Sequence, residues 1–104
     1  MSDHPPIPFG KPQIDEAELD AVRAVLESGI LVHGKVTPAF EEAFAARIGV
    51  DHAVAVASCS AGLYLTLFVR NVGAGDRVVV PAMTHVATAH SAEMLGARAE
   101  FVDV

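Results

Sequence analysis

From His52 onward the chain alternates short apolar runs with helical patterns, and this alternation restricts the fold more than any other feature. Ala53-Val54-Ala55-Val56-Ala57 is short and continuously apolar, the pattern of a parallel strand covered on both faces. Residues 61–72 read as a helix that is apolar nearly all round, through Leu63, Leu65, Leu67, Phe68, Val69 and Val72. Gly73-Ala74-Gly75-Asp76 closes it. Arg77–Val80 reads as a second strand ended by Pro81, residues 86–95 as an Ala-rich helix stopped by Gly96, and Ala99–Val104 as a third strand. The order βαβαβ predicts an α/β fold with a parallel sheet and right-handed crossovers.

Upstream the periodicity differs. Four prolines and Gly10 within residues 1–14 keep the backbone extended and deny it helix hydrogen bonds, so this stretch reads as an arm. Asp15 is placed as an N-cap with Glu18 three positions on, and Leu19, Val22, Val25 and Leu26 form one apolar stripe that Gly29 terminates. A second helix is expected from Thr37-Pro38, with Phe40, Phe44 and Ile48 at spacings of four and a stop at Gly49. Gly29 to Lys35 connects the two. The organisation expected is an arm (residues 1–14), two helices (15–50) and an incomplete α/β unit (51–104) whose sheet edges would still need covering.

Composition narrows the function classes. At 104 residues the chain is too short for two complete domains, and 52% apolar against 19% charged residues places it well away from disordered chains. Its apolar content is Ala and Val, with no Trp and one Tyr, and its formal charge is −6, so neither stacking platforms nor a basic footprint for nucleic acid is present. The single Cys59 can form no internal disulfide, which fits a reducing, cytoplasmic setting. The N-terminus lacks the basic start and apolar core of a signal peptide, and no apolar run approaches the roughly 20 residues that span a bilayer, so no membrane partner is expected.

In open α/β sheets ligands sit beyond the carboxyl ends of strands, here Ser58-Cys59-Ser60-Ala61-Gly62 and Ala82-Met83-Thr84-His85. The first is a turn of small residues into a helix, where backbone N–H groups and the Ser58 or Ser60 hydroxyls can converge on an anion such as phosphate. Simple capping of the helix by Ser58 or Ser60 explains the same residues equally well. The turn matches neither Walker A nor G-x-G-x-x-G. Ala57-Ser58-Cys59-Ser60-Ala61 also has the form of a nucleophile elbow, so a cysteine hydrolase pairing Cys59 with His85 is an alternative from another class. A non-catalytic interaction fragment is a third. His85 and His90 are five apart, on different helix faces, and no metal site is expected.

Several blocks of the sequence resemble one family in order and spacing. They are Ser58-Cys59-Ser60-Ala61-Gly62-Leu63, Gly75-Asp76-Arg77-Val78-Val79-Val80-Pro81, Thr84-His85-Val86-Ala87-Thr88-Ala89, Gly96-Ala97 and Phe101-Val102-Asp103-Val104. Upstream, Ile7-Pro8-Phe9 with Lys11-Pro12, Ser28-Gly29, Gly34, Phe40-Glu41 and Gly49-Val50-Asp51-His52-Ala53-Val54 agree as well. Together they resemble the N-terminal portion of the DegT/DnrJ/StrS sugar aminotransferases. The resemblance implies the first part of the large domain of a fold-type-I enzyme. Such an enzyme uses pyridoxal 5′-phosphate (PLP) to move an amino group from glutamate or glutamine to a keto sugar, usually nucleotide-linked.

By position, the resemblance puts Cys59, Ser60 and Ala61 in place of the family's Gly-Thr-Ala turn, which holds the cofactor phosphate. It puts His85 where the family has an aromatic residue against the pyridine ring. Cys59 replaces the usual Gly, Gly62 replaces Ala, and Val32 stands where the loop often has Thr. A homodimer with the active site between subunits is implied, with the arm reaching across. Transamination needs a lysine amine for the Schiff base, and only Lys11 and Lys35 exist here, both before the first expected strand. The resemblance implies that the Schiff-base lysine comes from a later segment, so the catalytic lysine is expected beyond Val104, with no catalytic residue in this chain.

Overall fold

The computed structural model describes residues 8–103. The first half of the expected arm, residues 1–7, and the final Val104 lie outside these described residues. The chain divides into two compact units, one running to Ala53 and the other beginning at Val54.

In the first unit, residues 8–15 belong to no helix or strand. Helix α1 (Glu16–Ser28) begins at a reciprocal cap: Asp15 Oδ1 accepts the Ala17 N–H at 2.9 Å, and Glu18 Oε2 accepts the Asp15 N–H at 2.9 Å. Two donors that the helix itself leaves unpaired are thereby satisfied. Gly29 ends the helix in the left-handed conformation, φ 69°, donating its N–H to the Leu26 carbonyl at 3.2 Å. Helix α2 (Val36–Ile48) starts one residue ahead of the expected Thr37-Pro38. Its first backbone bond runs from Ala39 N–H to the Lys35 carbonyl, so Pro38 still falls in the first turn, where its missing N–H costs nothing. One turn apart, the Phe40 and Phe44 rings lie 5.9 Å centroid to centroid. Gly49, φ 79°, terminates α2.

The second unit carries α3 (Cys59–Val69), β1 (Arg77–Pro81), α4 (Ala87–Glu93) and β2 (Arg98–Val102). Strands β1 and β2 pair in parallel, with Arg77 opposite Arg98 and Val80 opposite Phe101, and α4 is the crossover between them. Helix α4 packs on both strands and on α3. Its buried residues are Ala89, Ser91 and Ala92, and Val80 and Ala97 are the other buried ones among the described residues of this unit, so its core is made of mostly small side chains. Alanines at these positions let the helix backbone approach the strands closely. Ser91 is buried, and its hydroxyl donates to the Thr88 carbonyl at 2.8 Å.

Several bounds differ from expectation: α4 stops at Glu93 rather than 95, β1 includes Pro81, and β2 starts at Arg98 and ends at Val102. Helix α3 ends near Arg70 rather than at residue 72, because Asn71 takes up φ 57°, a left-handed conformation that asparagine tolerates better than most residues. Gly73 and Asp76 then close the following turn: the Gly73 N–H donates to Asp76 Oδ2 at 2.9 Å and the Asp76 N–H to the Gly73 carbonyl at 3.0 Å. The larger correction concerns residues 53–57, expected as the first strand. They form no strand among the described residues, the sheet is two-stranded, and Val54 is 80% exposed rather than covered. An apolar run becomes a strand only when a neighbouring strand supplies its ladder, and among the described residues the sheet pairs β1 with β2 alone. Among the described residues no helix is long and apolar enough to cross a membrane.

Candidate functional site

The turn into α3 is built by one serine. Ser58 is extended (φ −161°, ψ 162°), and its Oγ accepts the Ala61 N–H at 3.1 Å, while its carbonyl accepts the Gly62 N–H at 3.1 Å. Of the two readings open for the serines, Ser58 is therefore the cap. The cap consumes Ala61's N–H and frees Ser60 from that duty. Cys59 and Ser60 keep their backbone N–H groups without a partner among the described residues, and both residues are exposed at the start of an 11-residue helix. Two neutral N–H donors beside the Ser60 hydroxyl, at the positive end of a helix dipole, form a donor set suited to an anionic phosphate. Ala61 and Gly62 are half-buried behind them, and a methyl group added at Gly62 would reach Val56 Cγ2 at an ordinary 3.5 Å. An alanine at position 62 would therefore fit.

His85 follows β1 and is exposed. Its Nδ1 accepts the Ala87 N–H at 3.2 Å, and its carbonyl accepts the Thr88 N–H at 2.9 Å. An Nδ1 that accepts this bond leaves Nε2 as the ring nitrogen that carries the proton. Beside it the hydroxyls of Thr84 and Thr88 are 3.0 Å apart. Sequence reasoning singled out His85 but missed this threonine pair, although a spacing of four at a helix start was a usable signal. No hydrogen bond joins His85 to Cys59 among the described residues, so the nucleophile-and-base pair of a cysteine hydrolase is not assembled. The Cys59 thiol itself is free and exposed.

Both lysines belong to the first unit. Lys11 is exposed in the extended segment before α1, and Lys35 precedes α2. Lys35 lines a concavity of 540 Å³ in the first unit, together with Val25, Ser28, Ile30, His33 and Thr37.

Comparison with known proteins follows the same lines. Spr1654 of Streptococcus pneumoniae, described as a sugar aminotransferase and solved in PLP, PMP and apo forms, is 38% identical with a TM-score of 0.90. That match covers 94% of this chain and 25% of Spr1654. The aminotransferase TlmJ of Streptoalloteichus hindustanus is 42% identical, with a TM-score of 0.83 over 89% of this chain and 26% of its own. The GDP-4-keto-6-deoxy-D-mannose-3-dehydratase of E. coli is 28% identical, with a TM-score of 0.86 over 93% of this chain and 26% of its own. The chain thus spans about a quarter of the length of the solved structures it matches. The sequence pattern of the DegT/DnrJ/EryC1/StrS aminotransferase family matches residues 12–104, and the chain belongs to that family, with the α/β architecture of the N-terminal part of a fold-type-I enzyme.

Proposed function

We propose that this chain forms the phosphate-holding part of a PLP-dependent enzyme that moves an amino group from glutamate or glutamine to a nucleotide-linked keto sugar. The observation that carries the reading is the pair of unpartnered N–H groups at Cys59 and Ser60, beside the Ser60 hydroxyl. These groups take the cofactor phosphate, and Ala61 keeps the turn small enough for it to approach. His85 offers a flat face to the pyridine ring. When bound, the cofactor supplies an electrophilic carbonyl and an electron-accepting ring that carries the amino group between substrates. Neither Lys11, in the segment before α1, nor Lys35, at the start of α2, is given the amine role. We place the assembled enzyme as a homodimer in the cytoplasm.

The test is made in the full-length protein. Ser60→Ala removes one donor and should weaken PLP by about 1 kcal/mol, while Ala61→Leu displaces the turn and should weaken it further. Cofactor titrations unchanged in both variants would remove the assignment. The likeness to a 3-dehydratase supports a second reading, in which the same segment serves loss of a sugar hydroxyl. Product analysis separates the two, since amino transfer gives an amino sugar and dehydration a deoxy one.

A further inference from the structure

We propose that Thr84 and Thr88 are positioning residues that hold the His85 ring ready for the cofactor, an inference that rests on the reading of His85 given above. Two hydrogen bonds are made to His85 itself, and another spans it. The Thr84 and Thr88 hydroxyls meet at 3.0 Å and so bridge the backbone on either side of it. The Thr88 N–H binds the His85 carbonyl at 2.9 Å, and the Ala87 N–H binds its Nδ1 at 3.2 Å.

The first two bonds fix the peptide that carries the side chain. The third restricts both side-chain torsions and the tautomer together. Thr88 is itself anchored, since its carbonyl accepts the buried Ser91 hydroxyl at 2.8 Å in the core of the unit. An exposed imidazole would otherwise sample several rotamers and lose that freedom on binding. Here the ordering is already present, and ordering made in advance appears as affinity. The threonines touch no cofactor atom in this account, and their effect is felt only through the ring.

A double-mutant cycle on PLP affinity in the full-length protein tests this, with chemical denaturation as the second readout. Thr84→Val keeps the shape and removes the hydroxyl, and should weaken PLP roughly two- to tenfold, the range spanned by one net hydrogen bond. Thr84→Ser should restore binding, which also guards against a Val variant that misfolds. In a His85→Ala background, Thr84→Val should have no further effect, because the ring it positions is gone. Equal weakening in both backgrounds would overturn the proposal. So would a wild-type dissociation constant for Thr84→Val. If His85→Ala lowers affinity while Thr84→Val does not, the positioning idea alone fails. If His85→Ala leaves PLP binding intact, the role of His85 fails and this inference with it.

Discussion

Ser58 Oγ and the Ala61 N–H are joined at 3.1 Å, and this bond divides the labour of the turn into α3. Ser58 stabilises the helix, and the next two residues stay available to a ligand. Ser58→Ala should therefore destabilise the protein by about 1 kcal/mol, as loss of an N-cap usually does, and Ser58→Asp should retain most of the stability. Denaturant midpoints measure this, and an unchanged midpoint in the Ala variant would show that the cap carries no weight.

Cys59 contributes its backbone N–H to the proposed site, so its side chain should be dispensable there. PLP affinity is expected to stay within about twofold in Cys59→Ala, since the donor survives the change. The hydrolase alternative expects the reverse: rapid, stoichiometric alkylation of Cys59 at neutral pH and loss of ester hydrolysis on substitution.

The α4 face has no room for larger side chains. Ala92 is fully buried (0% exposed), and Ala92→Val should cost about 1–3 kcal/mol through overpacking. Thermal unfolding reads the effect directly, and a neutral result would mean that α4 can withdraw from its neighbours.

The Asp15 cap makes α1 sensitive to acid. The Ala17 N–H, then the hydrogen bond associated with Glu18, holds the Asp15 carboxyl below its ordinary value of 3.8. A carboxylate whose pKa is lower in the folded state stabilises that state above the unfolded value, and the contribution disappears as pH falls through the folded one. Helicity followed by circular dichroism should therefore drop as pH is taken below about 3.8. Asp15→Asn, which caps without titrating, should flatten that part of the curve. Identical acid titrations for the two proteins would assign the loss to other carboxylates.

Helix α1 was the most legible element, because its start and stop are written in local chemistry: Asp15 with Glu18, then Gly29. Gly49 announced the end of α2 in the same way, whereas the stop of α3 at Asn71 was obscured by apolar residues that continue past it. Residues 53–57 misled for a different reason. Their composition describes what a strand buries, but a strand also needs a neighbour, and pairing is a property of the fold rather than of the run. At the candidate site, Cys59, Ser60, Ala61 and His85 are named from the strand ends and the family resemblance. Which N–H groups are free depends on the rotamer of Ser58, and which ring nitrogen accepts depends on the backbone at Ala87, so neither could be read from residue types.

The self-contained start and stop of α1 also bear on the timing of folding. Both signals lie between Asp15 and Gly29, so this helix can close as soon as that stretch leaves the ribosome. The sheet cannot: the Arg77–Glu100 bridge at 3.1 Å joins residues 23 apart across an intervening helix, so β1 must wait with an open edge until β2 has been synthesised. In that interval the unpaired Val78-Val79-Val80 is the stretch most exposed to wrong partners, and the charged Arg77 before it and Pro81 after it are the residues placed to keep it from pairing out of turn.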